Sequence, residues 1–336
     1  MFSINPPPHL NQLATDILRL SDFFIQKPDG QTPWTDTYCQ NAYRNYFLPL
    51  NYIRVENVIQ RGMQVEFFKG FETTLDWGSG PGTASLAFAH EPTLKAQLKN
   101  QILIERSSSA LKTFNDFNEQ FIHPHFSTEL SFDNLSCNKT KTLLTFSYSL
   151  TEMNALPKGW NDFEGLMILE PATHQDGRKL LELRQKLIAE GYSIWAPCLH
   201  QNDCPLLTLS KNDWCHDRFH VNAPAWFLKL EDLLPMKNRT VTTSYLLARK
   251  TKPSIDPTNK ARLTGDSMKE KGKTRQLICR SSEREFLSWM HKNKSEQTLP
   301  RGELVLLSKD LEQKSNELRV TETPIECYEN SHGKHK

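Results

Sequence analysis

The stretch Thr74-Leu75-Asp76-Trp77-Gly78-Ser79-Gly80-Pro81-Gly82-Thr83 decides the fold of this chain. An apolar run leads into Asp76, glycines follow at alternate positions, and a helix-like segment comes next. This order is typical of a strand, a tight glycine-rich turn and a helix N-terminus, where a ligand can approach bare backbone N–H groups. The stretch therefore predicts a ligand-binding turn at the carboxyl end of a strand.

Short strands and helices alternate around this turn, which indicates a parallel α/β sheet. The predicted strands are 72–75, 102–105, 143–146, 165–169 and 193–196, and the predicted helices are 84–89, 108–121 and 177–190. We therefore expect an α/β fold with a Rossmann-like sheet of the class I methyltransferase type. In such sheets, ligands bind beyond the carboxyl ends of the strands.

The spacing of the glycines indicates which class of ligand the turn binds. Gly78, Gly80 and Gly82 do not follow the G-x-G-x-x-G spacing of dinucleotide folds and fit the first motif of class I S-adenosylmethionine methyltransferases better. Glu105 closes the second predicted strand, where a carboxylate can accept both hydroxyls of a ribose. Asp76 would orient the loop or meet the amino-acid end of the ligand.

The stretch Phe146-Ser147-Tyr148-Ser149, at the end of the strand predicted at 143–146, would border the adenine and the methyl donor, with Ser147 as the predicted cofactor-binding residue. No tetrapeptide typical of amine methylation follows that strand, and no cysteine is placed as an obvious covalent nucleophile. The catalytic residues therefore stay unassigned. The alternative is a Rossmann-like domain that has lost its ligand.

The segment ahead of the turn, residues 1–64, is predicted to be helical. Leu13, Ile17 and Leu20 repeat at helical spacing on one face, and Pro49 is expected to end or kink a second helix. The tyrosines of this segment either pack in the core or stack on nucleic-acid bases: Tyr38, Tyr43 and Tyr46.

A second motif is formed by Cys198, Cys204 and Cys215, which are followed by Cys279 at the end of a strand predicted at 274–279. Thiolates converge mainly on tetrahedral zinc or on an iron–sulfur cluster. His200, His216 or His220 could replace one thiolate in a zinc site. The alternative is a set of buried free thiols.

Charge and composition limit the remaining function classes. The formal charge of +2 does not by itself indicate nucleic acid, but the segment Arg249–Arg280 holds ten basic residues against three acids. Such a segment either binds along the phosphates of a nucleic acid or forms a solvated surface loop.

No apolar run approaches the roughly 20 residues that span a bilayer, and residues 1–20 look like neither a secretory signal nor a transit peptide. A soluble cytoplasmic protein without disulfides is expected.

Several pieces resemble the methyltransferase-like small-ribosomal-subunit family, an assembly factor of the small subunit in bacteria and mitochondria. These pieces are Tyr46-Phe47-Leu48-Pro49, the glycine stretch, Ile104-Glu105-Arg106-Ser107, Ser147-Tyr148-Ser149-Leu150, Leu169-Glu170-Pro171, Ala196-Pro197-Cys198, Cys204-Pro205, Trp214-Cys215-His216 and Cys279. The resemblance covers roughly residues 40–285, and the block from Ala-Pro-Cys to Trp-Cys-His is its most specific part.

The resemblance implies a class I S-adenosylmethionine-binding fold and a four-cysteine [4Fe–4S] site on Cys198, Cys204, Cys215 and Cys279. It also implies a role at the small ribosomal subunit and its rRNA, with no membrane or DNA partner. The chain would divide into a helical segment (1–64), a Rossmann-like domain (65–197), a metal-cluster and β module completing the sheet (198–290) and a polar, partly disordered tail (291–336).

Three functions are compatible with these features. The first is an S-adenosylmethionine-dependent methyltransferase acting on small-subunit rRNA or another ribosomal component. The second is a non-catalytic RNA-binding assembly factor stapled by the cluster. The third is a small-molecule methyltransferase with structural zinc.

Overall fold

In the computed structural model of the protein, residues 6–27, 30–118, 126–129, 137–153, 155–293 and 296–328 are described. Part of the helix predicted at 108–121 and the chain after 328 lie outside the described residues. Among the described helices, none is long and apolar enough to cross a membrane.

The helices carry labels in chain order. The α-helices are α1 (Leu10–Gln26), α2 (Thr37–Ala42), α3 (Leu48–Gln64), α4 (Thr83–His90), α5 (Pro92–Gln97), α6 (Ser108–Asn118), α7 (His174–Ala189), α8 (Pro205–Thr208) and α9 (Ala225–Asp232). A π-helix covers Tyr43–Phe47, and short 3-10 turns lie at Lys139–Lys141, Leu150–Glu152, Trp160–Asp162 and His291–Asn293.

The strands carry labels in the same way. They are β1 (Thr73–Trp77), β2 (Asn100–Ile104), β3 (Phe126–Glu129), β4 (Thr142–Ser147), β5 (Gly165–Glu170), β6 (Ser193–Ala196), β7 (Asp217–His220), β8 (Thr240–Arg249), β9 (Lys260–Leu263), β10 (Met268–Glu270), β11 (Lys273–Cys279), β12 (Glu285–Met290), β13 (Leu304–Leu306), β14 (Glu312–Lys314), β15 (Glu317–Val320) and β16 (Glu326–Cys327).

The chain folds into two compact units that interleave along the sequence. The first unit comprises Met1–Gln60, Phe68–Glu170 and Phe219–Val241, and the second comprises Arg61–Phe67, Pro171–Arg218 and Thr242–Lys336. The division into four consecutive parts with boundaries at 64, 197 and 290 stays a prediction.

The first unit contains a parallel sheet with β1 at its centre. The strand order is β3-β2-β1-β4-β5, and Leu75 of β1 lies opposite Ile102 on one side and Leu144 on the other. These apolar strands are buried, as expected when helices cover both faces of a parallel sheet. The Rossmann-like α/β class predicted from the sequence is confirmed.

The N-terminal helices of the first unit pack around their own apolar cluster. Leu13, Ile17 and Leu20 of α1 are fully buried, as their spacing predicts. Tyr46 stacks on Phe227 of α9 with ring centroids 5.5 Å apart, so this tyrosine belongs to the core rather than to a base-stacking surface.

Pro49 does not end a helix, which was one of the two outcomes expected for it. The chain passes from α2 through the π-helix directly into α3, where Pro49 is the second residue. Proline is tolerated in the first turn of a helix, and the preceding change of hydrogen-bond register absorbs the conflict with its missing N–H group.

The second unit holds an antiparallel β6–β8 pair and a second, mostly antiparallel sheet. That sheet has the order β14-β15-β12-β11-β9-β13-β16, with β10 paired to β11. Trp289, Leu287 and Ile278 lie in its core. The predicted polar tail did not anticipate β13–β16, because these strands are only two to four residues long and gain their stability from neighbours rather than from a local pattern.

A substitution at Gly165 tests how closely β5 of the parallel sheet packs against Phe71. A Cβ atom at this position would lie 2.3 Å from Cζ of the buried Phe71. Gly165→Ala should therefore lower the free energy of unfolding by about 1–3 kcal/mol in urea titrations. Adding Phe71→Leu should return part of that loss, whereas purely additive effects of the two changes would contradict the contact.

Candidate functional site

The turn predicted between β1 and α4 is present and depends on its glycines. Gly78, Gly80 and Gly82 have φ angles of 67°, 52° and 69°, which lie in the left-handed region. A Cβ on Gly78 would lie 2.8 Å from Cβ of Ser149, and a Cβ on Gly82 would lie 2.4 Å from Cδ2 of Phe114. The turn thus needs glycine both for its backbone angles and for close approach of neighbouring elements.

Glu105 lies beside this turn, at the carboxyl end of β2. Its Oε2 accepts a hydrogen bond from the Gly80 N–H at 2.9 Å, and its Oε1 accepts one from the Ser107 N–H at 2.8 Å. Each carboxylate oxygen has a second lone pair and can also accept a hydroxyl. The structure therefore brings together the glycine turn and the acid that the sequence predicted to bind a ribose.

Asp76 lies beneath the turn instead of facing outward. Its side chain is buried, and its Oδ2 accepts a hydrogen bond from the Ser85 hydroxyl of α4 at 3.2 Å. Burial, and to a smaller extent the nearby Glu105 carboxylate, raises the pKa of Asp76 to about 7. Of the two roles expected for Asp76, this placement favours orienting the loop.

The loop after β4 also contributes to this edge of the sheet. Ser147 is the last residue of β4 and pairs with Leu169 of β5. The next side chain to reach the turn is Ser149, whose hydroxyl donates to the Trp77 carbonyl oxygen at 2.7 Å. Tyr148, between the two serines, adopts a φ of 60°. The assignment of Ser147 to the adenine border stays a prediction.

Two aromatic side chains of the N-terminal segment lie near the turn. A Cβ on Gly80 would lie 3.3 Å from Cζ2 of Trp34, and the Trp34 ring meets the Tyr43 ring at a centroid distance of 4.8 Å. Burial raises the pKa of Tyr43 to about 12, so this hydroxyl keeps its proton at neutral pH. Aromatic faces at such a turn can cover a flat or cationic ligand. Trp34 was not predicted, since a lone tryptophan between two helices carries no sequence signal.

In the second unit, the four cysteines line one small cavity. Cys198, Cys204, Cys215 and Cys279 share its wall with apolar side chains of α7, including Leu181. Burial raises the pKa of the Cys215 and Cys279 thiols, and the neighbouring Cys198 raises both further. The structure thus brings together the four cysteines that lie up to 81 positions apart in the sequence, Cys198 to Cys279.

α7 forms one side of this cavity and approaches the cysteine loop closely. Thr173 caps the helix by accepting a hydrogen bond from the Asp176 N–H at 3.1 Å. One turn on, a Cβ at Gly177 would lie 2.4 Å from Cδ1 of Trp214, so only glycine lets the indole pack here. Trp214 directly precedes Cys215, and the glycine thereby places that thiol.

Hydrogen bonds reach two of the sulfur atoms. Arg184 Nε donates to Cys198 Sγ at 3.1 Å, and Nε2 of His200 lies 3.4 Å from Cys279 Sγ. Burial lowers the pKa of His200 to about 4, and the Arg184 charge acts in the same direction. His216 is directed elsewhere, with its Nδ1 3.2 Å from Arg301, and His220 is exposed.

The four thiols line one cavity without a preformed metal site. Across the described ranges, no three or more His, Cys, Asp or Glu side chains converge closely enough to hold a metal ion. Zinc and an iron–sulfur cluster therefore both stay predictions for these cysteines.

The segment Arg249–Arg280 is less positive than its composition indicates. Arg262 is fully buried, and four of the other nine basic side chains form ion pairs. The ion pairs are Lys269–Glu296, Lys273–Glu270, Lys273–Glu317, Arg275–Glu270 and Arg280–Glu285. Lys250, Lys252 and Lys271 remain exposed. Less than half of the segment lies in β9, β10 and β11, and both alternatives for it, phosphate binding and a solvated surface loop, stay predictions.

A family model described as mitochondrial small ribosomal subunit Rsm22 matches residues 38–303. No curated protein sequence matches the chain. Among solved structures, the chain is similar to a Pyrococcus horikoshii protein described as a candidate RNA methyltransferase, with 12% identity, coverage of 59% of this chain and 85% of that one, and a TM-score of 0.37.

Two further similar structures are TrmK of M. capricolum bound to S-adenosyl-homocysteine and an rRNA methylase of Streptococcus thermophilus. The first has 9% identity, covers 59% of this chain and 71% of that one, and has a TM-score of 0.36. The second has 12% identity, covers 57% of this chain and 94% of that one, and has a TM-score of 0.33. Similarities this distant say nothing about what the present chain binds.

The raised pKa of Asp76 predicts a specific pH dependence of stability. A carboxyl that holds its proton more tightly in the folded chain contributes stability below its unfolded pKa near 4, and that contribution is lost as pH rises through about 7. Asp76→Asn removes this effect while keeping an acceptor for Ser85. The free energy of unfolding of the variant relative to wild type should therefore increase from pH 5 to pH 8, by on the order of 2 kcal/mol.

Asp232 provides the control for this measurement. Its side chain is 81% exposed, so Asp232→Asn should show no comparable change between the two pH values. Equal differences for Asp76→Asn at pH 5 and pH 8 would show that Asp76 is ionised throughout that range.

Proposed function

Since the chain belongs to the mitochondrial small ribosomal subunit Rsm22 family, we propose that it is an S-adenosylmethionine-dependent methyltransferase that acts on rRNA or another component of the small ribosomal subunit. The observation that carries this proposal is the glycine turn with Glu105 bonded to it. That pair supplies what a nucleoside ligand needs, namely a glycine turn without side chains and a carboxylate at one edge of a parallel sheet.

The residues at the turn would have different roles in binding the cofactor. The glycine backbone at 78–82 would lie along the amino-acid end of the cofactor, and Glu105 would accept the ribose hydroxyls. Asp76 holds α4 to β1 through Ser85, which orients the turn without touching the ligand. Ser147 is assigned to the adenine border, with Ser149 fixing the loop on which it lies.

The bound cofactor would supply a methyl group that is already activated, so the chain's own task is chiefly positioning. Trp34 and Tyr43 lie close enough to the turn to cover a bound ligand and exclude water. No side chain is assigned as a base, because the acceptor atom decides whether a proton must leave.

We further propose that Cys198, Cys204, Cys215 and Cys279 hold a [4Fe–4S] cluster. The cavity is lined by the buried Cys198, Cys204 and Cys279 and the half-buried Cys215, and four cysteine thiolates are the usual ligand set of such a cluster. When bound, the cluster would cross-link distant segments of the second unit and add a redox-active centre. The same four thiols could instead hold one zinc ion, as in the zinc-containing small-molecule methyltransferase.

A non-catalytic assembly factor is the second candidate, and one observation favours it. Both oxygens of Glu105 already accept backbone hydrogen bonds, and Trp34 lies against Gly80, so the turn is stable without a ligand. A factor of this kind would bind small-subunit rRNA through exposed residues such as Lys250, Lys252 and Lys271, with strongly salt-dependent affinity.

Titration calorimetry with S-adenosylmethionine tests the primary proposal. The chain should bind the cofactor, and Glu105→Gln should weaken binding by roughly tenfold, since an amide offers only one acceptor oxygen. Glu190→Gln, at an exposed position, should leave the affinity unchanged. rRNA from cells lacking the chain should lose a methyl group that wild type restores and Glu105→Gln restores only poorly.

The two candidates predict different results in that experiment. Absence of cofactor binding, together with identical rRNA methylation in deletion and wild-type cells, would rule out the methyltransferase. If salt-dependent binding to small-subunit particles persisted under those conditions, the assembly factor would be the correct function.

Serine substitutions test the cluster. Anaerobically purified wild-type chain should contain iron and acid-labile sulfide, and Cys198→Ser or Cys204→Ser should lose most of both and unfold at lower temperature, because metal binding is coupled to folding. Cys327→Ser serves as control because Cys327 is exposed. Wild-type chain that contains zinc alone, or in which Cys204→Ser retains full iron, would contradict the assignment.

A further inference from the structure

We propose that Arg184 is the counter-charge of the anionic group held by the four cavity thiols. It would thus be a positioning residue that sets how tightly the group is held and how easily it is reduced. This inference rests on the iron–sulfur site proposed above. It adds a residue that contributes no ligand atom.

Arg184 is a fully buried charge without an acidic partner. It lies on α7, and its side chain has no exposed surface. Nε donates to Cys198 Sγ at 3.1 Å, and the two terminal nitrogens donate to the His200 carbonyl at 2.7 Å and to Gln185 Oε1 at 2.5 Å. Throughout the described residues, no carboxylate forms an ion pair with it.

Such a placement is costly unless an anion lies nearby. Removing a guanidinium from water without a counter-charge costs several kcal/mol, and arginine does not escape that cost by losing its proton. The groups that could supply the negative charge are the thiols around the cavity.

An iron–sulfur cluster with four thiolate ligands carries net negative charge, which grows when the cluster is reduced. A cation beside one thiolate would stabilise both forms, and the reduced form more. Arg184 is placed for this role because it bonds directly to one ligand sulfur. It also holds the backbone of His200, whose ring reaches a second ligand sulfur on Cys279.

Arg262 provides a matched comparison within the same unit. It is also fully buried, but its Nε and Nη1 donate to the carbonyl oxygens of Pro197 and Gly302, at 3.2 and 2.9 Å, and not to sulfur. A purely structural role for Arg184 would make the two arginines behave alike. A counter-charge role predicts that they differ.

The test uses the anaerobically purified full chain with Arg184→Met, Arg184→Lys and Arg262→Met. Iron retention against a chelator, the midpoint potential in a mediated titration, and the melting temperature of iron-loaded and iron-free protein are measured. Arg184→Met should weaken iron retention roughly 10- to 100-fold and lower the midpoint potential, because the added electron loses a nearby positive charge. Arg184→Lys should fall between this variant and wild type.

The melting temperature of the iron-free protein distinguishes a counter-charge role of Arg184 from a structural one. Without the anionic group, Arg184→Met should melt no lower than wild type, since it removes an uncompensated buried charge. Arg262→Met should change the melting temperature of both forms by the same amount while leaving the midpoint potential of the retained cluster unchanged. Equal destabilisation of both forms by Arg184→Met, or an unchanged potential and iron retention, would overturn the proposal.

Failure of the iron site itself would look different. Wild-type chain that neither contains iron nor takes it up on reconstitution would refute the cluster, and Zn²⁺ then becomes the probe. Weaker Zn²⁺ binding by Arg184→Met than by Arg262→Met would still support the counter-charge role. Equal Zn²⁺ affinity for the two variants, or no Zn²⁺ binding by wild type, would overturn it.

Discussion

The hydrogen bonds between the Glu105 carboxylate and the backbone N–H groups of Gly80 and Ser107 are the interactions on which the first unit's site depends. They join the ends of two neighbouring parallel strands through one side chain. Bonds of this charge-assisted kind are stronger than neutral ones. The acid and the turn therefore form one preorganised edge rather than two features that a ligand would have to bring together.

That edge needs glycine for two separate physical reasons. Gly78, Gly80 and Gly82 have positive φ angles, which other L-residues adopt only at a cost. The absence of a side chain at Gly82 also lets Phe114 of α6 pack against the turn. The buried Asp76 then ties the same turn to α4 from below.

The second unit is organised differently, because segments that are distant in the sequence line one cavity. Its polar groups are matched by neighbours: Arg184 by a sulfur and a carbonyl, and Glu270 by Lys273 and Arg275 across the β10–β11 hairpin. Pairing of this kind explains why a strongly basic stretch of sequence is less positive than its composition indicates. Cross-strand neighbours neutralise charges that a linear count adds up.

The sequence by itself determined the parallel sheet, the glycine turn and the identity of the acid that follows β2. These features depend on local spacing and on the order of elements, which a linear pattern records. Only the tertiary structure decided that Asp76 is buried, that Ser149 bonds to the Trp77 carbonyl of β1, and that Trp34 reaches Gly80. It also decided that Arg184 is buried beside a thiol instead of a carboxylate. Burial, side-chain direction and contacts between residues far apart in the chain are set by tertiary packing, which periodic sequence patterns do not predict.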